Sequence, residues 1–349
     1  MPKKKVLFFL FGGCGGAERI TINIGKILHR DRYDVKFVIC GTLDKIYDFI
    51  PTEYEVIRIP WHNIYVFPRL RIGRVLLKEK PDFVFASSSA LNILLLQIAR
   101  LLKIKCIVRQ DNMLRWYSKG MQRNIQRWYK TAYRVIAQQE EMQQELIDWV
   151  GTDEKQVVCL HNPVDAKLID SLKNEGNPYP QDDSINYLWV GNYLPTKGHD
   201  ILAEAFKIVH ERNPKTHLYL VGNTKDSLPN YIKTKAIVRE AHLENYVHFV
   251  GQQANPYKWM THCDCFVLPS RIEGLPNVLL EAMCLQRPVV ASVCIPVIDR
   301  MVEEEYNGYK VKPESPVEMA EAMEKALQLQ DFKMTFQLAT QDDFIKLFE

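Results

Sequence analysis

Two carboxylates, Glu273 and Glu281, stand eight residues apart in Ser270-Arg-Ile-Glu-Gly-Leu-Pro-Asn-Val-Leu-Leu-Glu-Ala-Met283, a stretch that is otherwise mostly apolar. An ionised carboxylate only accepts hydrogen bonds, so such a pair suits a ligand rich in hydroxyls. The apolar run 265–268 reads as a strand, 269–276 as a turn, and Asn277 as the cap of a helix over 278–285. The amides of Asn277, Val278 and Leu279 then lie unpaired at the positive end of a helix, a seat for phosphate. Carboxylates on either side of that seat point to a sugar phosphate, with Glu273 in the loop and Glu281 on the second helical turn. Spacing alone would equally describe a solvated turn residue and a surface helix residue.

A second chemistry-bearing stretch is Gly12-Gly-Cys-Gly-Gly-Ala-Glu-Arg19. Gly12, Gly13, Gly15 and Gly16 remove side chains where a backbone could approach a diphosphate, and a helix over 17–29 would turn its positive end to the same place. A tight structural turn is the alternative. The apolar run before it, 6–11, is six residues long and reads as a first β-strand rather than as a signal peptide.

These loops need a scaffold. Short apolar runs at 6–11, 35–40, 82–86, 105–109 and 134–137 alternate with helical patterns such as 17–29 and 91–102, which predicts parallel strands joined by helical crossovers. The rhythm fails where Lys173-Asn-Glu-Gly-Asn-Pro-Tyr-Pro-Gln-Asp-Asp-Ser184 is rich in turn formers. It resumes with runs at 185–190, 217–221, 247–250, 265–268 and 288–291, and with a helix over 201–212. The expected fold class is α/β, with two Rossmann-like, doubly wound parallel-sheet domains facing across a cleft. The N-terminal domain is assigned to 1–166, a linker to 167–184, the C-terminal domain to 185–330, and a C-terminal helix packing back on the first domain to 331–349. Ligands of such sheets bind beyond the carboxyl ends of the strands, so the site is expected in the cleft.

With 349 residues and 47% hydrophobic content, the chain is long enough for two cores. A net charge of +3 argues against a general nucleic-acid binder. Eight cysteines without a CxxC pair suggest a reducing compartment, and no D-x-D motif is present. The longest apolar candidate, 90–102, is interrupted by Asn92, Gln97 and Arg100, so no transmembrane helix is expected.

The string Glu273-Gly-Leu-Pro-Asn-Val-Leu-Leu-Glu-Ala-Met283, followed by Pro288-Val-Val-Ala291, resembles the E-G-F/L-x5-E-A-M and P-V-V/I-A pattern of retaining GT-B glycosyltransferases of family 4. Gly12 to Arg19 is similar to that family's G-G-A-E-R loop, and His161-Asn-Pro-Val-Asp165 to its P-N-G-V-D stretch. Val190-Gly-Asn-Tyr-Leu-Pro-Thr-Lys-Gly-His199 resembles V-G-R-L-x3-K-G, and Asn307-Gly-Tyr-Lys-Val311 resembles N-G-x-L-V. The resemblance implies transfer of a sugar from a nucleotide donor to a hydroxyl with retention. Glu273 would contact donor-sugar hydroxyls, Glu281 the ribose, and Lys197 the phosphates, where its ammonium would neutralise the departing diphosphate. Neither a cofactor nor a metal is implied beyond the nucleotide-sugar co-substrate, taken as UDP-linked.

Two positions depart from the pattern. Asn192 replaces the arginine of V-G-R and supplies no charge to the diphosphate. Arg109-Gln-Asp-Asn112 stands where relatives often carry a histidine, so Asp111 is assigned to the acceptor proton or a sugar hydroxyl and Arg109 to the missing cation. A loop salt bridge between them is the alternative.

From Met113 to Arg134 there are six basic residues and no acid: Arg115, Lys119, Arg123, Arg127, Lys130 and Arg134. Spacings of 4, 4, 4, 3 and 4 place them on one face of a helix, interleaved with Trp116, Tyr117, Trp128, Tyr129 and Tyr133, with Gly120 as a weak point. The mixture suits an anionic membrane surface or a lipid diphosphate; a solvated face is the alternative.

The expected function is transfer of a hexose or N-acetylhexosamine to a lipid-linked saccharide in surface polysaccharide or lipopolysaccharide assembly. The expected place is the cytoplasm, peripheral on the inner face of the cytoplasmic membrane. A soluble acceptor and a non-catalytic sugar-nucleotide-binding scaffold are the alternatives. A Rossmann oxidoreductase is disfavoured, because Gly12 to Gly16 misses the G-x-G-x-x-G spacing and the second strand runs into Cys40-Gly-Thr42 without an acid.

Overall fold

Lys4-Lys-Val-Leu-Phe-Phe-Leu-Phe11 carries apolar residues on both faces, as a strand covered on both sides requires. It forms β1 (Lys4–Phe11), with residues 6–10 at most 2% exposed. The computed structural model describes residues 2–13, 15–41, 46–60, 67–224, 227–330 and 332–349, so Cys14 and Thr42 lie outside the described residues.

After β1 come α1 (Gly16–Ile27), β2 (Tyr33–Cys40), β3 (Glu55–Ile59), α2 (Phe67–Glu79), β4 (Phe83–Ala86) and α3 (Ser89–Leu102). Then follow β5 (Lys105–Arg109), α4 (Lys119–Trp128), β6 (Arg134–Ala137), α5 (Glu140–Asp148) and β7 (Val157–Cys159). The seven strands pair in parallel in the order β3-β2-β1-β4-β5-β6-β7.

The rest of the chain holds α6 (Ala166–Leu172), β8 (Ile185–Val190), α7 (His199–Arg212), β9 (Thr216–Val221), α8 (Pro229–Glu240) and β10 (Val247–Gly251). It continues with α9 (Tyr257–His262), β11 (Cys265–Leu268), α10 (Asn277–Cys284), β12 (Val289–Ser292), α11 (Pro296–Met301), β13 (Gly308–Val311), α12 (Pro316–Ala326) and α13 (Gln341–Ile345). Six parallel strands pair as β10-β9-β8-β11-β12-β13. Each sheet thus reverses its order once beside its first strand, the doubly wound arrangement that the alternation predicted.

The chain divides into two compact units, 1–163 with 338–349, and 164–337. The C-terminal residues Phe344, Ile345, Leu347 and Phe348 are buried in the first unit's core. The Phe348 ring lies 5.8 Å from Phe8 and 5.6 Å from Phe83. Residues 167–184, read from the sequence as a linker, belong to the second unit. Asp165 caps α6 through the Leu168 amide, and buried Tyr179 packs its ring 4.7 Å from Tyr219 while donating to the Trp259 carbonyl. One aromatic anchor replaces the periodic apolar face that a sequence scan looks for. Among the described residues no helix is long and apolar enough to cross a membrane.

Candidate active site

In the second unit the sheet order reverses between β8 and β11, and the loops leaving these strands carry the predicted residues. After β8 the chain makes a 3-10 turn at Pro195–Lys197 and enters α7 through Gly198. Gly198 has φ +67°, and a Cβ there would lie 1.9 Å from the Pro269 carbonyl oxygen. Only glycine permits that approach, which brings the Lys197 loop against the segment following β11. Lys197 Nζ donates to both oxygens of Glu273, at 2.7 and 2.8 Å. Glu273 is 6% exposed and also accepts from Ser270 Oγ at 2.7 Å. The turn carboxylate is a buried half of an ion pair, because β11 delivers its loop beside Lys197.

Arg271 fastens these two loops. Its terminal nitrogens grip the two Asp200 oxygens at 2.8 and 2.9 Å, and one of them also donates to the Pro195 carbonyl at 2.8 Å. Its amide donates to the Thr196 carbonyl at 2.7 Å, and its guanidinium pairs with Glu314. Lys233 adds a bond to Asp200 at 2.6 Å. Burial alone would raise the Asp200 pKa, but the bonds from Arg271 and Lys233 outweigh it and hold the carboxyl well below the usual range. Sequence reading missed both residues, although Arg271 stood inside the stretch it singled out.

Beneath the loop, His199 stacks on Tyr193 with centroids 4.5 Å apart and meets Trp189 edge-on at 4.1 Å. Burial pushes its pKa down to about 3, so the ring is neutral and supports the loop.

Helix α10 begins one residue earlier than expected: Asn277 is its first residue and Pro276 takes the cap position, where a fixed φ of −77° suits helix entry. The Leu279 amide donates to the Pro276 carbonyl at 3.0 Å, which takes Leu279 out of the expected set of phosphate donors. Glu281 is half-buried, with Oε1 3.3 Å from the Tyr257 hydroxyl, and Asn192 is exposed at the start of its loop.

In the first unit the order reverses between β1 and β4. Gly15 caps α1 and Gly16 opens it. No described neighbour lies within 4 Å of where a Gly13 Cβ would stand, so no contact among the described residues demands glycine there. Asp111, beyond β5, has Oδ1 2.6 Å from Ser89 Oγ and accepts from the Tyr117 hydroxyl at 2.5 Å. Burial, and to a lesser degree the Asp111 charge, push the Glu18 carboxyl above its ordinary range. Glu18 lies in the first turn of α1 and was quoted in the glycine loop without being singled out.

Arg109, assigned as the missing cation, is instead within the first unit's interior, 3% exposed. Its Nε donates to Asn162 Oδ1 at 3.0 Å and its Nη2 to Gln138 Oε1, neither of them an acid. Burial pushes its pKa down to about 10. It tethers the segment after β7 to β5 and β6, and the loop salt bridge with Asp111 is not formed, since each has other partners.

The basic segment is not one helix. Short 3-10 turns at Leu114–Trp116 and Tyr129–Thr131 flank α4, which starts at Lys119 under a Ser118 cap, so Gly120 falls in its first turn without breaking it. Lys119, Arg123 and Arg127 share an exposed face at i, i+4 and i+8, and Arg115 and Lys130 are exposed nearby. Arg134 is half-buried over Tyr133. Of the aromatics, Tyr129 is wholly buried and accepts from Asn92, Tyr117 bonds Asp111, and Tyr133 packs on Phe83. Trp116, 42% exposed, remains at the surface with Arg115 at 5.1 Å.

Two parallel-sheet units with candidate residues at their points of reversal define a GT-B type of fold. A family model for Glycosyltransferase Family 4 matches residues 14–168, and one for Glycosyl transferases group 1 matches residues 184–329. The chain belongs to the group 1 glycosyltransferases and is a transferase enzyme of the GT-B fold. It is 24% identical to an Escherichia coli UDP-Gal:alpha-D-GlcNAc-diphosphoundecaprenol alpha-1,3-galactosyltransferase, over 85% of this chain and 81% of that one. It is 29% identical, over 83% and 80%, to the N-acetylgalactosamine-N,N'-diacetylbacillosaminyl-diphospho-undecaprenol 4-alpha-N-acetylgalactosaminyltransferase of Campylobacter jejuni. Among solved structures, Anabaena HepE in complex with UDP and glucose superposes with a TM-score of 0.77 at 21% identity, covering 93% of this chain and 90% of that one.

Proposed function

We propose that this glycosyltransferase moves a hexose or N-acetylhexosamine from a UDP-sugar, with retention, onto a lipid-linked saccharide in surface polysaccharide or lipopolysaccharide assembly. The observation that carries the reading is the Lys197–Glu273 pair, held at the point of reversal of the second sheet with the start of α10 and Glu281 nearby. Glu273 can exchange hydrogen bonds from Lys197 and Ser270 for those of donor-sugar hydroxyls. Lys197, 27% exposed, then turns its ammonium to the diphosphate, where negative charge grows as the glycosidic bond breaks. With Asn192 uncharged and Arg109 buried, Lys197 is the principal cation assigned to the leaving group. Glu281 is assigned to the ribose hydroxyls.

The lipid-linked acceptor is supported by the diphosphoundecaprenol-linked substrates named for the E. coli and C. jejuni relatives and by the exposed Lys119, Arg123 and Arg127 face. Asp111 is assigned to an acceptor hydroxyl.

UDP release is to be followed with a panel of UDP- and GDP-sugars and an undecaprenyl-diphosphate-linked sugar acceptor. Lys197→Ala or Glu273→Ala should lower kcat by about 100-fold or more; unaffected variants of an active enzyme would refute the site. Binding to anionic vesicles should fall steeply from low to high salt, and a Lys119/Arg123/Arg127→Gln triple variant should bind more weakly at low salt, by about 1 kcal/mol per charge removed, with a shallower salt dependence. No binding at either salt would remove the membrane from the reading.

A further inference from the structure

A cluster in the first unit, none of whose members is assigned a role above, carries chemistry of its own. Glu140, Cys159 and His161 each bring a ligand atom to one place at the carboxyl ends of β6 and β7, and these atoms all lie within 4.8 Å of one another. The sheet explains why. Strand β7 pairs in parallel with β6 so that Cys159 stands opposite Ala137, and the Leu160 amide extends the ladder by donating to the Ala137 carbonyl at 2.8 Å. Residues two apart on an extended chain project to the same face, so Cys159 and His161 lie on one side of the edge strand. Three residues beyond Ala137, the chain starts α5, whose first residue is Glu140. A Cys-x-His pair on the edge strand is thereby met by a carboxylate from its neighbour's helix. Glu140 is exposed and the other two are half-buried, so an ion can reach the place from solvent.

We propose that Glu140, Cys159 and His161 bind a borderline-soft divalent transition ion, zinc by its chemistry, in a tetrahedral site whose fourth position is held by water. One thiolate, one imidazole and one carboxylate make a set that suits Zn(II) and is poorly suited to the oxygen-loving Mg(II) or Ca(II). The spread of up to 4.8 Å exceeds the ligand separations of a tetrahedral zinc site, roughly 3.3–3.8 Å for bonds of about 2.0–2.3 Å. Rotamer adjustment of exposed Glu140 and of half-buried Cys159 and His161 closes that gap without moving the sheet. As the ion binds, the Cys159 thiol releases its proton to solvent and the sulfur lone pair forms the metal bond. The ion clamps the segment that leaves β7 to the start of α5, both within the first unit. Asn162, next to His161, is already tied to Arg109, so the same segment would be fastened from both sides.

The test uses the full chain, reduced and freed of metal, titrated anaerobically with Co(II) as a spectroscopic stand-in and with Zn(II) as competitor. The expected result is one Co(II) per chain, a near-ultraviolet sulfur-to-cobalt charge-transfer band, and visible bands of tetrahedral intensity that Zn(II) erases. Cys159→Ser should abolish the charge-transfer band, and His161→Ala should weaken binding by about 100-fold or more, beyond the loss usual for an outer-shell contact. Glu140→Gln, an exposed change at a helix start, should keep the band while weakening binding by at least about tenfold. Circular dichroism of each metal-free variant checks that it is folded. Absence of any charge-transfer band in the folded wild type, its persistence in Cys159→Ser, or unchanged affinity in Glu140→Gln would overturn the site.

Discussion

The two units share a topology and differ in what they place at the point where the strand order reverses. In the second, a lysine, two acids and an arginine from the loops after β8 and β11 and the start of α7 are locked together, Lys197 to Glu273 and Arg271 to Asp200. In the first, the corresponding place is built from two hydroxyls and two acids, Ser89, Tyr117, Asp111 and Glu18, with the nearby arginine, Arg109, withdrawn into the interior. One backbone plan therefore presents an edge of paired opposite charges in one unit and an edge of hydroxyls and acids in the other. The two edges differ in side-chain chemistry while sharing one strand plan.

The sharpest way to break that contrast is to cut the staple that holds the charged edge. Arg271→Ala leaves Asp200 buried with Lys233 alone and removes the guanidinium links between the 195–200 and 269–273 loops, so kcat should fall by about 100-fold, with partial recovery in Arg271→Lys. A change confined to thermal stability, with kcat intact, would show that the staple does not position the pair. On the other edge, Asp111→Asn keeps the shape and loses the charge. It should raise the acceptor KM by about tenfold, equivalent to a lost charged hydrogen bond, while the donor KM stays in place. A change in donor KM instead would erase the division between the two edges. The third effect concerns acid. His199 has a folded pKa near 3, below that of a free imidazole, so its contribution to stability is complete above about pH 6.5 and is lost as the pH falls from there toward 3. The slope is at most about 1.4 kcal/mol per pH unit for one proton. Denaturant titrations between pH 7 and pH 4.5 should show a flatter loss in His199→Phe, which keeps the stack on Tyr193; an unchanged slope would place the acid sensitivity elsewhere.

Much of the fold was legible because parallel strands covered on both faces are continuous apolar runs. Residues 6–11, 185–190 and 265–268 were found for that reason, and the loops that follow them are where the chemistry stands. Strand β7 was not found, since only three residues form it and it lies at a sheet edge. Residues 167–184 looked like a linker because an anchoring tyrosine has no period. Glu273 and Lys197 were picked from local strings, yet their direct pairing spans 76 residues and was visible only in the fold. Arg271 and Asp200 lacked any local mark of importance, being ordinary charges whose meaning is a partner 71 positions away. Arg109 was misplaced because sequence shows which charge follows a strand and not which face of that strand it occupies. The Cys159 and His161 pair escaped the cysteine survey for a related reason: the third member comes from another strand's helix, and the sequence expectation held no metal.

The first unit's aromatic core contains Phe348, contributed from the far side of the second unit in chain order. During synthesis the first 163 residues therefore emerge without their last core piece, and the sheet around Phe8 and Phe83 waits for an entire intervening domain to be translated. At ordinary elongation rates that interval is about 10 to 35 s, long compared with collapse of a small domain. The newborn first unit would spend that interval with an open apolar slot, which makes its early life a problem of aggregation and chaperone traffic rather than of equilibrium stability.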